Sequence, residues 1–238
     1  MSFLTVQNLS KSFGGNRAVD DVSFTLGRGE LLALIGPNGA GKSTCFNMLY
    51  GILAPDKGSV CLDGRELIGM KPRDIWRLGV GRTFQITAVY ASMSVVENVQ
   101  MALISHNRKA FSAFTGAAKL YRDDAMALLD LIGMKDQADR AANILAYGDL
   151  KRLELAVALA HDPVLLLMDE PTAGMAPGER RALMKLTADI VAERGVSVLF
   201  TEHDMDVVFE NAHRVLVLNR GQLLAEGSVD DVRANPAV

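Results

Sequence analysis

Apolar and polar positions divide the chain into a β-rich start and a strand–helix alternation at its end. Phe3 to Val6 and Val22 to Leu26 alternate as the strands of an antiparallel edge sheet do. From Glu30 to Ile35 the run is apolar after its first residue and meets a glycine-rich turn, the pattern of a strand buried on both faces. Gly58 to Leu62, closed by the turn pair Asp63-Gly64, and Val80 to Phe84 predict two more strands. Ser94-Val-Val-Glu97 has the spacing of a capping box and opens a helix through Met101; Leu120 to Ile132 is amphipathic and stops at Gly133. Between these helices, Ser105 to Gly116 is polar and glycine-containing and reads as a long loop or an extra short helix. Beyond it, strands at Val164–Met168, Val196–Thr201 and Arg214–Asn219 alternate with helices at Gly178–Glu193 and Met205–Asn211. The pattern is a parallel α/β core interrupted by a helical insertion.

Composition narrows the class. With 238 residues and 49% hydrophobic content the chain can bury a large α/β core. A net charge of −3, with basic residues scattered, gives no electrostatic footprint for nucleic acid. The two cysteines, Cys45 and Cys61, lack metal-ligand spacing and are read as buried free thiols on a helix and a strand. No basic and apolar leader follows Met1, and no apolar stretch nears the ~18 residues that span a bilayer. The chain is therefore expected in the cytoplasm, reaching the inner face of the cell membrane only through partners.

Gly36-Pro37-Asn38-Gly39-Ala40-Gly41-Lys42-Ser43, followed by Thr44, fits G-x-x-x-x-G-K-[ST] between a buried strand and a helix. Glycines let successive backbone N–H groups turn towards phosphate oxygens, and the helix adds its positive end. Lys42 would reach the outer phosphates and Ser43 would ligate Mg²⁺. The alternative is an ordinary glycine-rich turn. Leu165 to Met168 then makes a central strand that delivers Asp169 and Glu170 at its carboxyl end, where open α/β sheets bind ligands. Asp169 suits Mg²⁺ held through water, and Glu170 suits polarisation of an attacking water. In isolation the pair could equally be two solvated acids.

Together with Phe13, Gln85 and His203 at matching positions, these motifs resemble those of an ABC transporter ATP-binding subunit, over nearly the whole chain. The resemblance implies a RecA-like P-loop core with an antiparallel β edge subdomain and an inserted α-helical subdomain. It divides the single domain, 1–238, into a core of 1–85 and 164–238 and a helical part of 86–163. It further implies that Phe13 stacks on adenine, that Gln85 joins Ser43 and Asp169 at the metal, and that His203 steadies the γ-phosphate, with ATP and Mg²⁺ as cofactors. Its implied partners are a second ABC ATPase, identical or different, two membrane permeases and, indirectly, a solute-binding protein; nucleic acid is not among them. Val89, Tyr90 and Met93 are candidates for the permease groove, or else for ordinary packing, and His161 and His213 are read as structural.

Against the family's Leu-Ser-Gly-Gly-Gln signature this sequence has Leu145-Ala146-Tyr147-Gly148-Asp149, with Ala146 in place of the serine and one glycine left. Ala146, Tyr147 and Gly148 are still expected to face a nucleotide held by the opposite subunit, through a helix N-terminus near Gly148. Ala176 stands where the family's D-loop usually has Asp or Asn. The Leu-Ala-Tyr-Gly variant, Arg82-Thr-Phe-Gln85 and the long insertion resemble the first ATPase of uptake systems for branched-chain and related hydrophobic amino acids. A lipopolysaccharide-export ATPase and a weakly hydrolytic regulatory subunit are the alternatives.

Overall fold

The computed structural model describes residues 3–83, 89–107 and 120–238. Alternation within its buried strands explains its layers. Strand β3 (Leu31–Ile35) sends Leu31, Ala33 and Ile35 into one core, and Leu32 and Leu34 into another on the opposite face. The strands β7 (Leu165–Asp169), β8 (Ser197–Thr201) and β9 (Arg214–Asn219) split their side chains in the same way, so each reads as a continuous apolar run. With β6 (Val80–Thr83) and β10 (Gln222–Gly227) they form a six-stranded sheet ordered β10-β9-β3-β8-β7-β6. It is parallel except where β10 returns antiparallel to β9.

One face is covered by helices. These are α3 (Val95–His106), α4 (Arg122–Leu131), α5 (Tyr147–Leu159) and α6 (Pro177–Arg194), whose apolar stripes include Val95, Val99, Leu129, Leu153 and Leu183. The other face packs on α1 (Lys42–Leu49) and on a second sheet, ordered β2-β1-β4-β5. That sheet is antiparallel: β1 (Leu4–Phe13), β2 (Asn16–Leu26), β4 (Lys57–Leu62) and β5 (Arg65–Glu66). The β1–β2 hairpin turns through Gly14 (φ 52°) and Gly15 (φ 90°), and the β4–β5 hairpin through Asp63 (φ 52°) and Gly64 (φ 78°). Positive φ at both central residues is the turn that matches strand twist.

Three further helices are α2 (Pro72–Arg77), α7 (Met205–Asn211) and α8 (Val229–Ala234). The capping box at Ser94 forms as expected: Glu97 N–H donates to Ser94 Oγ, and Ser94 N–H donates to Glu97 Oε2 at 2.8 Å. The helix it opens runs five residues past the expected end at Met101, because Leu103 and Ile104 are buried, so Ser105 and His106 are helical rather than part of the loop. Residues 108–116 of the predicted loop lie outside the described residues. His213 acts structurally: its Nδ1 accepts from Leu31 N–H at 3.0 Å, and its own N–H donates to Leu31 O at 2.8 Å.

Among the described glycines, Gly36 and Gly41 of the turn after β3 leave the least room for a side chain. Gly36 has φ +148°, and a Cβ there would sit 2.0 Å from Leu218 O. Gly41 has φ +105°, and its Cβ would sit 2.3 Å from Ala18 O on β2. The phosphate-loop candidate is thus wedged between β9 and the hairpin sheet. Gly36→Ala is expected to lower unfolding free energy by about 2 kcal/mol or more. Chemical denaturation checks it, and an unchanged midpoint would show that the loop has room.

Candidate functional site

The phosphate loop, Asp169, Glu170 and His203 sit at the carboxyl edge of the parallel strands, where buried chains first reach solvent. Gly36 to Gly41 follow β3 and open α1, whose first-turn N–H groups have no acceptor earlier in the helix. Lys42, 7% exposed, folds its ammonium back on its own loop, donating to Gly36 O at 2.8 Å and Pro37 O at 3.2 Å. Burial pushes its pKa below the usual lysine range, opposed by the negative charges of Glu170 and Asp169. An anion beside Lys42 would find a cation already partly stripped of water. Phe13 ends β1 with its ring half exposed, and it shares a cleft of about 320 Å³ with Ala18, Asn38 to Thr44 and Glu170. The structure therefore brings the aromatic, the phosphate-loop residues and one carboxylate to a single opening.

Asp169 and Glu170 separate at the end of β7. Asp169 stays buried, its Oδ1 accepting from Thr201 Oγ1 at 2.8 Å and its Oδ2 lying 3.6 Å from Arg82 Nη2. Glu170 enters the left-handed region at φ 49°, turning its side chain outward, and its N–H donates to the same Thr201 hydroxyl at 3.0 Å. Its Oε1 lies 2.7 Å from Nε2 of His203, so one of the two holds the shared proton. Just behind, the buried Glu202 carboxylate accepts from Thr172 N–H at 2.9 Å and Thr172 Oγ1 at 2.6 Å, fixing the segment after Pro171. Gln85 lies outside the described residues.

Thr201, Arg82 and Glu202 join the site although local spacing gives none of them a role there. The available signal was a hydroxyl or charge at the end of an apolar strand, but their partners stand on neighbouring strands or loops.

Ser43 is exposed at the start of α1, and α1 also packs against β7. Among the described residues no three His, Cys, Asp or Glu cluster as a closed metal cage. One hydroxyl and one or two carboxylates beside a phosphate loop fit Mg²⁺, which is commonly held by few protein oxygens together with substrate phosphates.

The signature segment lies apart from this cleft. Ala146 is the N-cap of α5 and has no side-chain oxygen to cap it, so the first-turn N–H groups get no N-cap acceptor. Tyr147 is exposed, but its hydroxyl donates to Ala173 O at 3.1 Å and its ring lies against Gly174, in the loop after Glu170. It is engaged within the chain. Gly148 is buried; a Cβ there would meet Glu179 Oε1 at 2.9 Å. Ala176 begins α6, with its N–H donating to Glu179 Oε2 at 3.2 Å and no side chain to return the cap.

Of the three groove candidates, Tyr90 lines an apolar cleft of about 500 Å³ with Trp76, Met101, Val157 and His161. Val89 packs on the core, and the Met93 backbone hydrogen-bonds Tyr90 O and Ala142 N–H. His161 stacks on Trp76 at 5.0 Å between centroids, with His106 6.2 Å away. Burial, then the neighbouring His106, push its pKa down to about 4.

The profile described as ABC transporter matches residues 19–173. The high-affinity branched-chain amino acid transport ATP-binding protein LivG of Salmonella typhimurium is 39% identical, over 99% of this chain and 95% of that protein. The ADP conformation of MJ1267, an ATP-binding cassette of an ABC transporter, superposes with a TM-score of 0.89 at 30% identity, covering 100% of this chain and 97% of the other. A dimeric post-hydrolysis state of the cassette MJ0796, bound to ADP and Pi, superposes at 0.79 and 26% identity, covering 95% and 98%.

A histidine held neutral in the fold stabilises above its unfolded pKa of about 6.5 and loses that contribution as pH falls through its folded pKa. His161→Phe is therefore expected to flatten the loss of stability between pH 6.5 and pH 4, read as the melting temperature against pH. An acid limb as steep as in the parent chain would contradict it.

Proposed function

Because the chain belongs to the family of ABC transporter ATP-binding subunits and is an ATP-hydrolysing enzyme, we propose that it energises uptake of branched-chain or related hydrophobic amino acids, using Mg²⁺ and these site residues. The observation that carries the assignment of roles is the shared cleft: Phe13, the loop from Asn38 to Thr44 and Glu170 line one opening. LivG's likeness over nearly its full length supports the transported class, and favours it over lipid export.

In this reading Phe13 stacks on adenine, and Gly36 to Thr44 wrap the phosphates with backbone N–H groups while Lys42 leaves its loop carbonyls for the outer phosphates. Ser43, Asp169 and Gln85 would hold Mg²⁺, which when bound neutralises charge on the phosphate oxygens. Glu170 takes the proton of the attacking water, and His203, already within hydrogen-bond distance of Glu170, steadies the γ-phosphate.

One phosphate loop and one signature occur in the chain, so a complete site takes a second ATPase subunit. There Ala146, Tyr147 and Gly148 would present α5's backbone N–H groups without a hydroxyl. Lost hydrogen bonds to charged groups are worth roughly 1.5–3 kcal/mol, which favours unequal sites in the dimer. Residues 86–163 would move against the core on closure and push on a permease through the cleft at Tyr90. Among the described residues no helix is long and apolar enough to cross a membrane. In this reading the chain works in the cytoplasm, held to the inner face of the membrane through two permeases to which a solute-binding protein delivers the solute.

Glu170→Gln keeps shape and removes the base. ATP affinity is expected to stay within a few-fold while turnover falls by about 10²–10⁴. Equilibrium binding and phosphate release measure the two, and undiminished turnover would remove Glu170 from the mechanism.

A further inference from the structure

Arg82 occupies the next-to-last position of β6, in register with Leu167 of β7, and its side chain is only 7% exposed. Groups from separate elements meet its guanidinium. Nη1 donates to Asn47 Oδ1 at 2.9 Å, Nη2 lies 3.6 Å from Asp169 Oδ2, and the central carbon stands 5.8 Å from the centre of the Tyr50 ring. Asn47 belongs to α1, the helix that the phosphate loop opens, and its carbonyl receives the N–H groups of Ile52 and Leu53. Its place is therefore fixed at the far end of that helix.

Asp169 is held from both sides: Thr201 donates to Oδ1, and Arg82 faces Oδ2. The two contacts differ in kind. At 2.8 Å the hydroxyl makes a full hydrogen bond, whereas 3.6 Å exceeds hydrogen-bond length and is an attraction between charges. Oδ2 is thereby oriented while room is left for it to accept from another donor. A planar guanidinium presents separate nitrogens to Asn47 and Asp169, a spacing that the single ammonium of a lysine does not reproduce.

We propose that Arg82 is a positioning residue for ATP hydrolysis, aiming the Asp169 carboxylate at the metal side of the phosphates and tying that aim to the phosphate-loop helix through Asn47. The inference rests on the reading of Asp169 as a Mg²⁺ ligand. A purely structural ion pair would instead affect folding and all nucleotide binding alike.

The test titrates ATP into Arg82→Lys, Asn47→Ala and Asp169→Asn chains, with Mg²⁺ varied and with chelator, beside a melting curve for each. Arg82→Lys is expected to keep metal-free ATP binding within about threefold and to raise the Mg²⁺ concentration for half-maximal effect by about tenfold, the scale of one charged contact. Asn47→Ala should move it the same way by less. Metal-free and Mg²⁺-dependent binding falling together, or neither changing, would overturn the proposal. If Arg82→Lys does not fold, Asn47→Ala decides by the same criterion. Asp169→Asn separates the two readings: if it leaves the Mg²⁺ dependence unchanged, the reading of Asp169 falls and takes the proposal with it. If it shifts that dependence while the other two variants do not, the Arg82 proposal alone is overturned.

Discussion

One buried hydroxyl holds the chemical edge of this molecule together. Thr201 Oγ1 donates to Asp169 Oδ1 at 2.8 Å and accepts from Glu170 N–H at 3.0 Å, so a single side chain on β8 fixes both acidic residues at the end of β7. The contact is possible because β7 and β8 run parallel with Asp169 opposite Thr201. A slip of register would move the hydroxyl away and turn side chains to the wrong core. Fully buried on its strand, Thr201 has no water to compete for these bonds.

The burial that enforces this register also decides where charge can sit. A parallel sheet covered on both faces leaves its strand ends as the places where ionised groups meet solvent without large desolvation cost. Glu170 and His203 follow β7 and β8 for that reason, whereas the side chains of Lys42, Asp169 and Arg82 are buried at the same edge, each facing an opposite charge or a hydrogen-bond partner. Glu170's left-handed backbone lets consecutive acids point differently, Asp169 inward to Thr201 and Arg82, Glu170 outward to His203. The signature segment is tied in from the helical side, with Tyr147 donating to Ala173 O just after the acidic pair. A hydrogen bond thus joins the start of α5 to the loop that follows Glu170.

Elements with strong apolar patterns were legible in the sequence: α7 and β9 begin and end where the pattern places them. Elements that bury little were not. α2 buries only Ile75 and α8 only Val232, while β10 alternates exposed and half-buried positions with none buried. The outer half of β1, beyond Val6, is largely polar because the hairpin projects towards the cleft that holds Phe13. The same distinction holds at the site. Gly36 to Thr44 and Asp169-Glu170 are local motifs and could be read directly. Thr201, Arg82 and the Glu202–Thr172 pair depend on which strands and loops lie together, which local spacing does not encode. Tyr147 is a further case, since the hydrogen bond from its hydroxyl to Ala173 O is not encoded by local spacing either.

The central claim is that hydrolysis depends on how Thr201 sets the two carboxylates. The direct measurement is single-turnover hydrolysis and Mg²⁺–ATP binding by the assembled ATPase pair with Thr201→Val in this subunit, a change that keeps shape and removes the hydroxyl. Binding should remain within a few-fold while the chemical step at the site holding this chain's Glu170 slows by about 10- to 100-fold, the value of a hydrogen bond to a charged group. A chemical step as fast as in the parent pair would contradict the account.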